Sequence, residues 1–178
     1  IGSPTDFNVT LNVPDGFKAL GGIAPDSSPS KNTYIFKGLN QKEAPLHILK
    51  TTERFTEYNV PGLDLITDIQ DTNLEFEMKL IFINRITSFL QEKLGSRLDP
   101  HLLVSEQFYS ENPVYGLSSL PDFFNPYPAG FTYELKLLKS LSRKWLEKGV
   151  FVNPREDGWI QQSLLTYLMM QYQELYYP

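Results

Sequence analysis

Two predicted helices near the C-terminal end of the chain carry the polar residues whose spacing is most typical of a functional site. In LKLLKSLSRKWLEK (135–148), Lys139 and Arg143 stand one turn apart and therefore share a helix face. Gln162 follows in WIQQSLLTYLMM (159–170), with eighteen residues between it and Arg143. Two cations on one face favour binding of a carboxylate. They do not favour zinc, which needs neutral imidazoles and carboxylates.

The remaining residue types point to few kinds of chemistry. The two histidines, His47 and His101, fall within a predicted strand and at a predicted strand start. Neither has the i, i+4 helical spacing that lets two imidazoles share one zinc, so both are expected to have structural or surface roles. The chain has no cysteine, no glycine-rich loop before a helix and no G-x-S-x-G sequence. Thiolate, phosphate-cradling and nucleophile-elbow sites are therefore excluded.

The elements that position these polar residues are predicted to be two closing helices. On the first, apolar residues recur at helical spacing: Leu138, Leu141 and Trp145. The second is expected to begin at NPRE (153–156), where asparagine acts as the cap and proline takes the first helical position. Asp157 is predicted to cap the next turn.

Earlier in the chain the pattern is that of β structure. FNVTLNV (7–13) alternates apolar and polar residues as a half-buried strand does, and further short strands follow up to about residue 70. HLLVSEQFY (101–109) has the pattern of one more strand, which would be buried. We therefore expect an α+β fold with a β-rich segment at 1–70 and a helix-rich segment at 71–178.

One long amphipathic helix is predicted between these strands. Asn73 is expected to cap its start, and Gly95 is expected to end it. Its apolar face is formed by residues at intervals of three and four: Leu74, Met78, Ile81, Phe82, Ile86, Phe89, Leu90 and Leu94. Its acidic residues, Glu75, Glu77 and Glu92, are expected on the solvated face.

The two closing helices resemble those of the zinc aminopeptidases of the aminopeptidase N type, which are gluzincins with a thermolysin-like catalytic domain. That family carries H-E-x-x-H on one helix, a tryptophan two residues later, and a glutamate with eighteen residues between it and the second histidine. The interval between Arg143 and Gln162 matches the family's interval. Further positions match the family's non-catalytic framework: Trp145, Asp157, Trp159, Thr166 and Tyr167. The resemblance spans nearly the whole chain and implies that 71–178 is the N-terminal lobe of a thermolysin-like domain, preceded at 1–70 by part of the family's β domain.

The catalytic positions implied by this resemblance depart from the family pattern. Lys139 and Arg143 stand in the places of the two histidines, and Ser140 stands in the place of the general-base glutamate. Gln162 stands in the place of the third zinc ligand. Two cations would repel a divalent metal, and no carboxylate is left at position 140 to activate a water. We therefore predict no zinc, no other cofactor and no peptidase activity.

The segment YSENPVYGLSSLP (109–121) holds the place of a substrate-binding motif in the resemblance. The family's G-x-M-E-N sequence there contains a glutamate that holds the free amino group of the substrate. Glu111 and Asn112 match the end of that motif in one alignment. A competing alignment puts residues 115–117, which begin with Tyr115, in the strand that carries this motif. It then leaves no acidic residue at the position of the family's glutamate. In a third interpretation, residues 112–113 form an ordinary surface turn. Glu111 and Tyr115 are thus weaker candidates for ligand binding.

Composition limits the partners. The formal net charge of −5 and a pI near 5.1 argue against binding of nucleic acid. No apolar run reaches the roughly 18 residues needed to cross a bilayer. The chain opens with IGSP, so we expect it to be a piece of a longer protein. Its expected partners are the remainder of that protein and a peptide or protein ligand. Localisation is left open, including an extracytoplasmic position or a membrane tether in the parent protein.

Three classes of function remain compatible with the sequence. The first is a non-catalytic, peptidase-like module that binds a peptide or protein, with Lys139 and Arg143 contacting a carboxylate of the ligand. The second is a purely structural domain of a larger protein, including an α+β domain unrelated to the gluzincins. The third is a hydrolase whose catalytic residues are of a kind not recognised in the sequence.

Overall fold

The computed structural model describes residues 5–26, 32–41, 45–50, 55–97, 99–111, 113–114, 127–149 and 157–178. Over these residues the fold is mixed α+β, as the sequence predicts. The elements are, in chain order: β1 (Thr5–Asn12), β2 (Phe17–Gly21), β3 (Thr33–Gln41), β4 (Leu46–Lys50), β5 (Thr56–Val60), β6 (Leu63–Thr67), α1 (Phe76–Leu94), β7 (His101–Val104), α2 (Glu106–Ser110), α3 (Phe131–Gly149) and α4 (Gly158–Tyr176).

The first four strands form two antiparallel pairs. β1 pairs with β3, and β2 pairs with β4. Along β1 the apolar residues Phe7, Val9 and Leu11 are partly buried while their neighbours are exposed, which confirms the predicted alternation. A small hydrophobic cluster formed by Val13, Ala19 and Phe36 joins the two pairs.

A second, larger core includes residues from both sides of position 70. β6 lies between β5, with which it runs antiparallel, and β7, with which it runs parallel. Leu63 and Leu65 of β6 belong to the same buried cluster as residues of α1, α3 and α4. The division into segments 1–70 and 71–178 stays a prediction, and the strands just before residue 70 pack with the helices that follow it.

The long helix α1 starts and faces the core differently from what the sequence predicts. It begins at Phe76 and its cap is Glu75, so the predicted cap at Asn73 is wrong. The reason is local: the Asn73 backbone N–H donates to the Asp71 carboxylate at 2.8 Å, which holds the preceding residues in a turn. Gly95 ends the helix with a φ of 84°, as predicted.

The buried face of α1 is narrower than the predicted apolar face. Phe82, Ile86, Phe89 and Leu90 are buried as predicted, together with Lys79, Ile83 and Thr87. Met78, Ile81 and Leu94 are exposed, so assigning them to the buried face was wrong. The glutamates at 75, 77 and 92 are exposed as expected. The core contacts α1 along one stripe, and apolar residues outside that stripe remain in solvent.

The segment 101–109 is a strand followed by a helix, so the prediction of one continuous strand was wrong. β7 stops at Val104, and α2 begins at Glu106 after the cap residue Ser105. The Ser105 hydroxyl accepts from the Gln107 N–H at 3.3 Å, and the Asp68 carboxylate accepts from the Glu106 N–H at 2.6 Å. These acceptors satisfy N–H groups of the first helical turn, which favours a helix start over a continued strand.

The closing helices are both present, with shifted starts. α3 begins at Phe131, four residues before the predicted stretch, and its predicted apolar stripe of Leu138, Leu141 and Trp145 is buried. α4 begins at Gly158, while the predicted start signal at 153–156 lies outside the described residues. Asp157 precedes α4 but makes no side-chain cap hydrogen bond, contrary to the prediction.

A buried ion pair joins three helices. Glu134 of α3 is fully buried and accepts two hydrogen bonds from Arg85 of α1, at 2.7 Å from Nε and 2.5 Å from Nη2. Tyr172 of α4 and Tyr177, just after α4, each donate a hydroxyl hydrogen bond to the same carboxylate. The Glu134 carboxylate is thereby surrounded by donors, as a buried charge requires. This cluster fixes α3, which carries the candidate site, against α1 and α4.

Gly130, the residue before α3, gives a test of how the start of α3 packs against α1. Gly130 has a φ of +83°, and a Cβ there would lie 2.6 Å from Cε2 of the buried Phe82 ring. We expect Gly130→Ala to lower the free energy of unfolding by about 2–4 kcal/mol, because backbone strain and overpacking add. Urea denaturation measures this loss.

Gly16 is the matched control for that substitution. It has a φ of +84°, but a Cβ there would meet nothing within 4 Å. Gly16→Ala should therefore cost only the strain of the left-handed backbone, about 1 kcal/mol. Equal losses for the two variants would contradict the close packing of Gly130 on Phe82.

Candidate functional site

A cavity of about 200 Å³ lies where α3 and α4 face β7 and α2. Lys139, Ser140 and Arg143 line it from α3, and Gln162 lines it from α4. The four positions that the resemblance singles out therefore line one cavity. The apolar part of the lining comes from Val104, Phe108, Tyr109 and Leu165.

Lys139 is the deepest cation of the cavity. Only 8% of the residue is exposed, and its Nζ donates to the Pro113 carbonyl at 3.1 Å. Burial lowers the pKa of Lys139 below the usual lysine value, and the charge of Arg143 one turn away lowers it further. A buried ammonium group held by one neutral acceptor is a favourable partner for an incoming anion.

Arg143 stands at the solvent side of the same wall. Its side chain is 44% exposed, and its Nε donates to Glu147 Oε1 at 3.0 Å. The other oxygen of Glu147 accepts from Lys144 Nζ at 2.9 Å. Lys144 and Glu147 also line the cavity, so its described side chains include three cations and one carboxylate. The net charge of these described side chains is positive, although the whole chain is acidic.

Ser140 contributes an uncommitted hydroxyl. The residue is 8% exposed, and among the described residues its Oγ has no hydrogen-bond partner. A buried hydroxyl without a partner costs free energy that an acceptor inside the cavity would recover. Gln162, which is exposed, and its neighbour Gln161 bring side-chain amides to the opposite wall.

Other predicted positions lie away from this cavity or outside the described residues. Glu111 is exposed at the end of α2 and is not among the described residues that line the cavity. Tyr115 and Asn112 lie outside the described residues, so their predicted role stays a prediction. Of the matched framework positions, Trp145 is buried, whereas Trp159 and Tyr167 are exposed on α4.

The two histidines have structural neighbours. The His47 ring in β4 lies 5.9 Å from the Phe55 ring and 6.4 Å from the Phe108 ring. His101 starts β7, and its Nε2 makes a 2.9 Å hydrogen bond with the Gly21 carbonyl of β2. Within the described ranges, no group of three or more histidine or acidic side chains is placed to hold a metal ion.

An open groove of about 730 Å³ lies beside the cavity and was missed by sequence reasoning. It runs between β4 and α2, with His47 and Phe55 on one side and Glu106 and Lys136 on the other. Its charged groups are engaged: Lys136 Nζ lies 3.0 Å from Glu106, and Asp68 accepts from the start of α2. No short-range pattern announces this groove, because separate segments of the chain form its walls.

The cavity residues do not fit a zinc ion. Lys139 is held as a hydrogen-bond donor to a carbonyl, and Arg143 donates to a carboxylate. Neither side chain offers a lone pair to a metal. The only acidic side chain among the described lining residues, Glu147, is engaged by two cations. The arrangement instead supplies hydrogen-bond donors and positive charge, which suit an anionic ligand.

Comparison with protein-family models, with curated proteins and with solved structures finds no match to the chain. Within the part of the chain that the structure describes, no helix is both long enough and apolar enough to cross a membrane.

Proposed function

We propose that this chain is a non-catalytic, peptidase-like module of a larger protein, and that the cavity between α3 and α4 binds a peptide or protein ligand. One observation carries the proposal: Lys139, Ser140, Arg143 and Gln162 line a single cavity. They occupy the positions at which the resembled gluzincins hold zinc and its catalytic base. In this proposal the helices belong to the N-terminal lobe of a gluzincin-like domain. The domain has kept the positions of these helices, while its zinc ligands and catalytic base have been replaced.

The chemistry of the cavity supports binding without hydrolysis. A gluzincin-type reaction needs a metal to polarise the carbonyl and a carboxylate to activate water. Ser140 stands in the place of that carboxylate, and Glu147 is held by Arg143 and Lys144. The donors that remain are suited to holding a ligand in place.

The size of the cavity supports a peptide over a larger small molecule. Sites that enclose drug-sized ligands usually measure about 300–1,000 Å³. A cavity of about 200 Å³ is suited to one residue of a chain whose remainder lies outside. The exposed position of Arg143 at the cavity mouth is compatible with such a partly enclosed ligand.

A structural role is the second candidate, favoured by the outer surface of α4. Five large apolar residues are exposed there: Trp159, Leu164, Tyr167, Met170 and Leu175. Exposed apolar surface of this kind is a common feature of faces that pack against another protein segment. In that case the cavity would be incidental and α4 would be the functional element.

Affinity selection tests the proposed function. The immobilised chain is equilibrated with zinc and incubated with a mixed peptide library, and both retained and released peptides are identified by mass spectrometry. We expect a subset of peptides to be retained uncleaved. Retention should fall at least about tenfold for the double variant Lys139→Met with Arg143→Gln, because charged hydrogen bonds contribute that much or more.

Two results would contradict the proposal. Equal retention by the wild-type chain and the double variant would move binding away from the cavity and favour the outer surface of α4. Cleavage of library peptides that is lost in the double variant would favour a hydrolase. The single variant Lys136→Met is a control, because Lys136 lies on the same helix and lines the neighbouring groove but not the cavity.

A further inference from the structure

We propose that the cavity recognises the free C-terminal residue of a peptide chain, with its α-carboxylate held by Lys139, Ser140 and Arg143. This inference rests on the proposed function and specifies its ligand. The observation behind it is the distribution of groups within one small cavity: donors and positive charge on the α3 wall, amides on the α4 wall and apolar side chains elsewhere.

The charge of the lining selects an anionic group. Lys139, Arg143 and Lys144 face the cavity with Glu147 as the one acidic side chain among the described lining residues. Glu147 accepts from Arg143 and Lys144, whereas the deepest cation, Lys139, donates to the neutral Pro113 carbonyl. The same charges would repel the ammonium group of a peptide N-terminus, so the orientation with the carboxylate inside is favoured.

The donors of the cavity match a carboxylate in number and in kind. The Lys139 ammonium donates to the neutral Pro113 carbonyl, and a carboxylate would form a stronger, charge-assisted bond with it. The Ser140 hydroxyl is nine-tenths buried and has no partner within the described residues. A carboxylate has two oxygens and about four acceptor sites, so it can satisfy both donors and still face Arg143.

The rest of the lining matches the remaining parts of a terminal residue. Val104, Phe108 and Leu165 provide apolar surface for a side chain. Gln161 and Gln162 bring amide groups that can accept from the backbone N–H of the same residue. A carboxylate, an N–H and an apolar side chain within one residue occur together at a peptide C-terminus. An internal aspartate or a phosphate would not use the apolar surface in the same way.

The test compares two peptides that differ only at the C-terminus. An N-terminally fluorescein-labelled hexapeptide of glycine and serine ending in leucine is prepared as the free acid and as the amide. Fluorescence anisotropy with the whole chain should show binding of the acid at least about tenfold tighter than binding of the amide. Lys139→Met should remove most of this difference, and Ser140→Ala should reduce it by a smaller factor.

Control variants separate binding from folding. Lys136→Met changes the charge of α3 by the same amount and should leave the preference for the acid unchanged. Lys139→Met nearly conserves side-chain volume, so its far-ultraviolet circular dichroism should match that of the wild-type chain. If it does not, Ser140→Ala still tests the inference, because its smaller effect on the preference is specific to the cavity.

The outcomes distinguish this inference from the function on which it rests. Equal affinity for the acid and the amide would overturn recognition of the C-terminus and leave peptide binding intact. Absence of binding by both peptides and by the whole library would overturn both proposals. Displacement of the peptide by inorganic phosphate at equal concentration would show a general oxyanion site and would also overturn the assignment to a peptide C-terminus.

Discussion

Replacing Glu134 with alanine should lower the free energy of unfolding by about 3–5 kcal/mol, the usual cost of breaking a buried ion pair from one side. Glu134 is fully buried, and Arg85, its partner, retains only 27% of its side-chain exposure. The substitution would leave the Arg85 guanidinium and the Tyr172 hydroxyl without the carboxylate to which both donate. Urea denaturation followed by circular dichroism measures the loss.

The two tyrosines that donate to Glu134 have raised pKa values. Burial, together with the hydrogen bond to Glu134, raises the pKa of Tyr177 to about 12. Burial and the same carboxylate also raise the pKa of Tyr172. Both hydroxyls therefore stay protonated at neutral pH and continue to donate to Glu134.

Glu92→Ala is the control for the Glu134 prediction. Glu92 belongs to the same kind of ion pair, with Lys93 at 3.1 Å, but its side chain is 68% exposed. Its loss should change the free energy of unfolding by no more than about 0.5–1 kcal/mol. If Glu134→Ala cost as little as Glu92→Ala, the cluster would not be what fixes α3 against α1 and α4.

The two tryptophans of the closing helices should respond very differently to truncation. Trp145 is 5% exposed, its Nε1–H donates to the Gly95 carbonyl at 3.0 Å, and Arg97 lies 5.2 Å from its ring. Trp145→Ala should lower the free energy of unfolding by about 3–5 kcal/mol, because it opens a large space between α1 and α3. Chemical denaturation of the variant measures this effect.

Trp159→Ala is the matched control, since Trp159 is 68% exposed near the start of α4. Its removal should change stability by no more than about 0.5 kcal/mol. The remaining tryptophan in each variant also reports its environment by fluorescence: the emission of Trp145 alone should be shifted to the blue of that of Trp159 alone. Comparable losses of stability would contradict the different burial of the two residues.

Sequence patterns predicted the parts of this fold that depend on local periodicity. The alternation of β1 and the apolar stripe of α3 were both confirmed, because period-two and period-three-to-four patterns report directly which side of an element is buried. Arg143 and Gln162, which the sequence analysis singled out by their spacing, also line one cavity. For β1 and for the stripe of α3, the information lies within a few helical turns or a single strand.

Features that depend on distant partners were predicted wrongly or not at all. The change from β7 to α2 is favoured by Asp68, whose carboxylate accepts a hydrogen bond from the Glu106 N–H. The two residues are 38 positions apart in the sequence. The exposure of Ile81 and Met78 follows from where α3 packs on α1, which periodicity alone cannot specify. Glu134 and Tyr172 lie on different helices, so no local sequence pattern predicts their contact.

Under our proposal, the cavity between α3 and α4 binds a ligand. The most direct test of this proposal is a nuclear magnetic resonance titration of the ¹⁵N-labelled chain with the leucine-terminated free-acid peptide. We predict that the largest shifts occur at the backbone amides of Ser140 and Gln162 and at the Arg143 Nε–H. Largest shifts at Ser105 and Lys136 in the neighbouring groove, or at the Trp159 indole on the outer surface of α4, would contradict it.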